Sequence, residues 1–404
     1  FVRRSNEKYD IIYLPLVYSD AAGKVGFSLI ENYIFTTEAF SDYLNHLTKN
    51  GRLVIKLHDF ADLTKAYTTA LTVLKKQGKS LPEAAKHLSI ISDSHSSARQ
   101  PSSIHWPLLI LKQSKFSPAE SENLLKTAYA LNLSPLSIPY LFEELYSPLS
   151  GGKVNLQRFI SMLGAANLNV QPARDDSPFF YNKDRWIPSS LKGLFLIILF
   201  LTVLLISPYL IFRKSTNSSK GRDFIPYFSS LGLGFMLVEI SLIQRFILFL
   251  GYPTLTFSVI LFSLLLSGGL GSLASQFIFK KGITKGVALV ALAISVIVVI
   301  YAFWLPPLLN QFLAYNIMVR SLITMSLIFP LGFLMGMPFP TGLRILKEVS
   351  SPDVPWMWGI NGIMSVLGSV VAVIVAMVFG FSSALLLGAA AYFLIFWKFK
   401  GVAK

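Results

Sequence analysis

The chain has 404 residues, of which 53% are hydrophobic and only 14% charged, with a mean hydropathy of +0.57. That balance excludes an ordinary soluble protein and marks a membrane protein. With no cysteine there is no disulfide framework, no thiolate metal site and no cysteine nucleophile. The net charge of +15 is uneven: residues 1–188 hold 21 Lys+Arg against 17 Asp+Glu, and residues 189–404 hold 15 against 4. Most cations of the second half lie in short loops between apolar segments, where orientation in a bilayer explains them, so no nucleic-acid partner is expected. The chain opens on Phe1 with no initiator Met and no signal-peptide pattern, and is expected to be the C-terminal part of a longer protein whose upstream part is a partner.

In chain order, the first 188 residues alternate β-type runs with helical patterns. "YDIIYLPLV" (9–17) reads as a strand, "TEAFSDYLNHLTK" as a helix, "GRLVIKLHD" (51–59) as a strand, 60–77 as a helix and "KHLSIIS" (86–92) as a strand. "WPLLILKQS" adds a strand. "SPAESENLLKTAYALN" adds a helix, with Ser117 as cap, Pro118 at the first position and Glu120 at the third. The alternation predicts a sheet covered by crossover helices. "SPLSGGKV" (147–154) is a turn-rich break, and "RDDSPFFYNKDRWIPSS" (174–190) leads into seven apolar spans, at about 193–212, 224–250, 254–279, 286–309, 315–340, 357–379 and 381–397, each close to or above the roughly 20 residues that cross a bilayer. Little more than Gly380 separates the last two, which are a tight hairpin or one bent element. The basic loops "RKSTNSSKGR", "KKGITK" and "GLRILK" and the tail "KFKGVAK" fall on one side, which the positive-inside rule makes cytoplasmic, C-terminus included. Seven crossings would then put residues 1–188 outside, whereas a nucleotide-type α/β domain belongs in the cytoplasm. Either the first span is re-entrant or not a full crossing, or the soluble domain is extracytoplasmic.

Two stretches carry a family resemblance. "YDIIYLPL…SLIENYIFTTEAFSDYLNHLTKNGRLVIKLHD" resembles the second half of a spermidine synthase-like domain, a relative of class I S-adenosylmethionine-dependent methyltransferases. "RDDSPFFY", "LGFMLVEISLIQRFILFLG", "FSLLLSGGLGS", "MGMPFPTGLR" and "PWMWGINGIMSVLGSV" resemble the junction and membrane segments of bacterial proteins that fuse such a domain to transporter-like helices. The resemblance implies a partial Rossmann-like α/β domain over residues 1–188, followed by an all-α multi-pass transmembrane bundle of about seven helices over 189–404, in a bacterial inner membrane. It implies S-adenosylmethionine or its decarboxylated form as cofactor, with aminopropyl or methyl transfer to a polyamine or other small amine. A sulfonium is already an activated electrophile, so the protein has only to hold an amine in line and accept its proton. Two departures stand out. The glycine-rich turn of such domains is absent from residues 1–188 and is expected upstream of Phe1. The aspartate-rich segment that follows the first strand in spermidine synthases is here "LPLVYSD", which keeps only Asp20.

Ligands of open α/β sheets bind outside the carboxyl ends of strands, which points to Tyr18, Ser19 and Asp20 after one strand and to His58 and Asp59 after the next. Asp20 is an amine-binding carboxylate or general base, or else a solvated turn aspartate. His58 shuttles a proton or merely caps a strand end. Glu31, Asn32, Tyr33 and Thr36 match the family-like "ENYIFT", with Tyr33 a binding candidate, although such residues at a helix entrance also satisfy backbone groups. His46, His87, His95 and His105 lack ligand spacing, so no metal is expected. Asp175 and Asp176 read as a structural junction.

In the membrane half, Glu239, Gln244 and Arg245 sit within one apolar span. Glu239 and Arg245 are six residues apart, about 9 Å along a helix axis, and so are poorly placed to pair. Arg320 and Asn361 are their expected partners. The cluster is either a substrate or proton site of transporter type or an interhelical polar clamp. Two functional classes therefore stand: a membrane-tethered group-transfer enzyme, and a transporter-like protein with a non-catalytic soluble binding module.

Overall fold

A computed structural model describes residues 2–16, 30–142, 145–212, 219–279 and 282–400. The chain divides into two compact units, Phe1–Pro188 and Ser189–Lys404.

The first unit is built on a five-stranded mixed sheet of order β1-β2-β4-β3-β5, with β1 Tyr9–Leu14, β2 Leu47–Lys56, β3 Leu88–Ser92, β4 Leu108–Lys112 and β5 Ser134–Ser137. Helices α1 (Thr37–His46), α2 (Phe60–Lys76), α3 (Leu81–Ala85), α4 (Pro118–Ala130) and α5 (Leu156–Ala165) accompany it. Only β1 and β2 pair in parallel; the pairs β2–β4, β4–β3 and β3–β5 are antiparallel. The sheet is therefore mixed: the crossover helices that the alternation of elements predicts do not serve every connection. The cause is the connection between β3 and β4, residues 93–107, which holds only a 3-10 turn at Pro101–Ser103 and no crossover helix. A strand returning without a crossover lies antiparallel. At the β1–β2 pair, Gly51 is required by close approach, because a Cβ there would stand 2.7 Å from the Tyr9 carbonyl oxygen, where the register shifts between Tyr9 and Ile11.

The core of this unit joins Leu53 and Ile55 of β2, Leu88 and Ile90 of β3, Leu109 and Leu111 of β4, and the inner faces of α1 and α2. Helix α2 is buried on nearly every side although it carries Asp62, Lys65 and four threonines. Its hydroxyls are satisfied by carbonyls: Thr64 donates to Phe60 O at 2.7 Å, Thr69 to Lys65 O at 2.7 Å, and Thr68 to Val170 O at 2.7 Å. Ser117 and Glu120 form a capping box on α4, as their spacing predicts.

The second unit is helical. Among the described residues, six helical stretches are long and apolar enough to cross a membrane: Ser189–Ile211, Ile225–Leu250, Pro253–Ile278, Ile283–Gln311, Ile317–Phe379 and Phe381–Phe399. The chain is thus a multi-pass membrane protein. We label the helices α6 (Ser189–Phe212), α7 (Ile225–Leu250), α8 (Pro253–Ile278) and α9 (Ile283–Gln311). The 63-residue fifth stretch is three successive helices, α10 (Ile317–Met335), the shorter amphipathic α11 (Pro338–Ser350) and α12 (Val354–Phe379), and α13 (Phe381–Lys400) follows. Helix α7 is the hub, packed by α8, α9, α10, α11, α12 and α13, while α9 pairs with α13, and α8 with α10.

Small residues set the closest approaches. A Cβ on Gly271 would lie 1.9 Å from Phe333 O, and one on Gly336 would lie 2.0 Å from Gly268 O, so α8 and α10 touch backbone to backbone. Gly380, at φ +94°, separates α12 from α13. The two are distinct helices whose Ala372 and Ala384 meet on Leu237 of α7.

Candidate ligand cleft and charged sites

The strand β2 delivers Leu57, His58 and Asp59 to its carboxyl end. Asp59 caps α2, its Oδ1 accepting the Asp62 N–H at 3.0 Å. The loop before β4 runs alongside, with the Trp106 N–H donating to His58 O at 3.1 Å and Leu57 N–H to Pro107 O at 2.9 Å. Between the two segments lies a cleft of about 560 Å³, walled by His58, Asp59, Phe60 and Ala61 on one side and by Pro101, Ser102, Ile104, His105 and Trp106 on the other, with Leu168 below. Trp106 adopts φ +54°, a left-handed conformation costly for an aromatic residue, and its ring centroid stands 5.5 Å from that of His58. The half-exposed indole is thereby presented at the cleft mouth.

Behind Asp59 lies a row of charges. Lys183 Nζ donates to Asp59 Oδ2 at 2.6 Å and forms an ion pair with Asp62 Oδ1 at 3.2 Å. One helical turn on, the buried Lys65 Nζ donates to Phe179 O at 3.1 Å and Asn182 O at 3.0 Å, with the Phe180 ring beneath it. Burial pushes the Asp62 carboxyl up to about 6 despite the Lys183 ammonium, and drives the Lys65 ammonium down to about 7 despite Asp62. For Asp59 burial also acts upward, but the hydrogen bond and charge of Lys183, with the Asp62 and Ala61 N–H groups, hold it below the ordinary carboxylate range. The segment 179–186 is thus fastened to α2 by two lysines.

Of the residues expected from the sequence, His58 and Asp59 are brought together in the cleft. Tyr18, Ser19 and Asp20 lie outside the described residues. Tyr33 falls in a 3-10 turn, Tyr33–Phe35, capped by the Asn32 side chain, and is not a cleft wall. Asp175 is structural: its Oδ1 accepts from Thr36 Oγ1 at 2.6 Å and its Oδ2 from Arg3 at 3.0 Å. Among the described residues no three His, Asp or Glu side chains converge on a metal position. The sequence reading missed the contributions of Trp106, Lys183, Asp62 and Lys65. The available signal was an acid and a lysine at i and i+3, Asp62 and Lys65, in a helix whose other charges, Lys75 and Lys76, sit in its last turn.

The intramembrane residues are spread along α7 rather than gathered. Asn361 Nδ2 donates to Phe228 O at 3.2 Å near the start of the helix. Arg245 donates to Ser382 Oγ at 2.5 Å. Arg320 donates to Phe249 O at 2.5 Å and more weakly to Leu250 O, so it caps the last carbonyls of α7, where a cation also meets the negative end of the helix dipole. The expected pairing of Glu239 with Arg320 or Asn361 does not form, because both partners are committed to backbone carbonyls about ten residues away on either side. Gln244 lies on the same helix and is partly buried. Arg344 repeats the capping on α8, donating to Ser275 O at 3.0 Å.

Neither a family model, nor a curated protein, nor a solved structure matches the chain.

Proposed function

We propose that residues 1–188 are a small-ligand-binding unit of the spermidine synthase-like, Rossmann-related kind, attached to a multi-pass membrane bundle, and that its ligand occupies the cleft at the carboxyl end of β2. The observation that carries this reading is the cleft itself, which lies where ligands of α/β sheets bind and falls within the roughly 300–1,000 Å³ of small-molecule sites. Its chemistry suits S-adenosylmethionine or the decarboxylated form. A sulfonium or ammonium is drawn to an indole face, which Trp106 offers, and Phe60 and Ile104 supply apolar wall for a nucleoside. Such a ligand supplies an activated carbon for transfer to an amine. In this chain His58 and His105 border the space in which that amine's proton would be taken up.

A second reading rests on Asp59. It is the only carboxylate among the described cleft residues, and its two oxygens already hold the α2 cap and Lys183. A cleft without a free carboxylate favours a binding module serving a transporter-like bundle over an aminopropyl or methyl transferase. Calorimetric titration of the full chain with both sulfonium compounds, followed by an assay for transfer to polyamines, separates the cases. Binding with transfer supports the enzyme, binding without transfer supports the module, and no binding sinks both.

We further propose that the C-terminus is cytoplasmic in a bacterial inner membrane, on the strength of the basic loops. The chain has no cysteine, so a single cysteine added after Lys404 reports its own side. Labelling by an impermeant thiol reagent in intact cells would contradict the assignment.

A further inference from the structure

Helix α7 runs from Ile225 to Leu250, which puts Glu239 about 21 Å from its start and about 16 Å from its end, deep within a span. The residue as a whole is only 8% exposed. Among the described side chains, the charged ones of the helices packed against α7 are Lys285, Arg320, Arg344, Lys347, Glu348 and Lys398; α8 and α12 have none. Arg320 and Arg344 are spent on the ends of α7 and α8, and Arg245 of α7 itself reaches Ser382. The tyrosines of α7 and of the helices packed on it are likewise directed elsewhere, Tyr227 to Pro338 O and Tyr301 to Leu327 O, while Tyr392 packs among apolar side chains. The buried serine hydroxyls of α7 and α8 are also occupied: Ser241, Ser263 and Ser267 each donate to a carbonyl of their own helix, at 2.7, 2.6 and 2.6 Å. Among the described residues, the Glu239 carboxyl has neither a hydrogen-bond nor an ion-pair partner.

A lone carboxylate in such a place carries a desolvation cost that nothing offsets, and the group escapes it by taking a proton. An interhelical clamp would show a partner on a neighbouring helix, and Glu239 shows none among the described residues. We propose that Glu239 is a proton-binding site inside the helical bundle, neutral at rest and able to exchange its proton. The inference concerns the membrane unit and does not rest on the cleft.

The test uses the full chain in liposomes. Infrared difference spectra between wild type and Glu239→Gln should show, at neutral pH, one protonated-carboxyl stretch that shifts on deuteration and is missing from the variant. A hydrophobic carbodiimide provides the measurement that needs no variant. It adds to a neutral carboxylic acid, whose proton passes to a carbodiimide nitrogen while the acyl group rearranges onto nitrogen as an N-acylurea, with no other reactant consumed. Mass spectrometry should find that adduct on Glu239 in wild-type protein, with at least a ten-fold fall in yield when the reagent is replaced by a water-soluble carbodiimide. Carboxylate bands alone for Glu239 overturn the proposal, as does equal labelling by the two reagents.

Discussion

Replacing Lys183 by Ala removes the ammonium that holds two carboxylates. The Asp59 arm is partly exposed, so its loss costs less than about 1 kcal/mol. The Asp62 arm decides the outcome, because that carboxyl is 1% exposed and its ion-pair cation would be gone. Stranding a buried charge costs about 3–5 kcal/mol, but Asp62 already titrates at about 6, so at neutral pH it can take a proton for about 1.4 kcal/mol per pH unit and cap the loss. The expected destabilisation of the first unit is about 2–3 kcal/mol, or roughly 5–10 °C for a unit of this size. Thermal unfolding of the detergent-solubilised full chain, followed by tryptophan fluorescence in a background where the four membrane-half tryptophans are replaced by Phe so that only Trp106 and Trp186 report, reads it. Two controls follow. The loss should shrink below about pH 6, where Asp62 is protonated with or without Lys183, and Asp62→Asn should restore at least half of it. A shift below about 0.5 kcal/mol, or an equal loss in the Asp62→Asn background, would refute the reasoning.

Lys65 has a folded pKa near 7 against an ordinary 10.5, so the folded chain binds fewer protons than the unfolded one between those values and stability should rise with pH through that window. Lys65→Met should flatten that slope in unfolding measurements, and an unchanged slope would count against the burial argument. The hydrogen bond from Lys112, then the Ser117 N–H, hold the Glu120 carboxyl down at about 2, so its contribution should be complete above about pH 4.5 and fade towards pH 2, as an NMR titration would show. In the membrane unit, Gly336→Val would drive a side chain into the Gly268 backbone, which cannot move aside; the variant should lose detergent stability by several kcal/mol, and a neutral result would deny the α8–α10 contact. Arg320→Ala should cost about 1–3 kcal/mol by orphaning the carbonyls of Phe249 and Leu250, with Arg320→Lys keeping part of it.

The strands and helices that carry periodic apolar residues were legible. β1 to β4 and α1, α2 and α4 all fall on runs whose alternation or 3.6-residue spacing is plain. β5 was not, because "SPLS" has a proline and two serines and acquires its extended form only by pairing with β3. Strand direction also escaped, since it depends on what the 93–107 connection does in space. His58 and Asp59 could be placed at a strand's carboxyl end, but the opposite wall, with Trp106, comes from a loop almost fifty residues later. The membrane charges show the same limit. Sequence marks Glu239, Arg245 and Arg320 as costly, whereas only the packing reveals that Arg320 serves as a helix cap and, among the described residues, leaves Glu239 without a polar partner.

The cleft is the centre of the account, and Trp106 is its test. Calorimetric titration of S-adenosylmethionine and its decarboxylated form into the full chain and into Trp106→Ala should show saturable binding to the first. The variant should lose affinity about 5- to 30-fold, the worth of one indole–cation contact. Absence of binding to the unaltered chain, or equal affinity in both proteins, would contradict it.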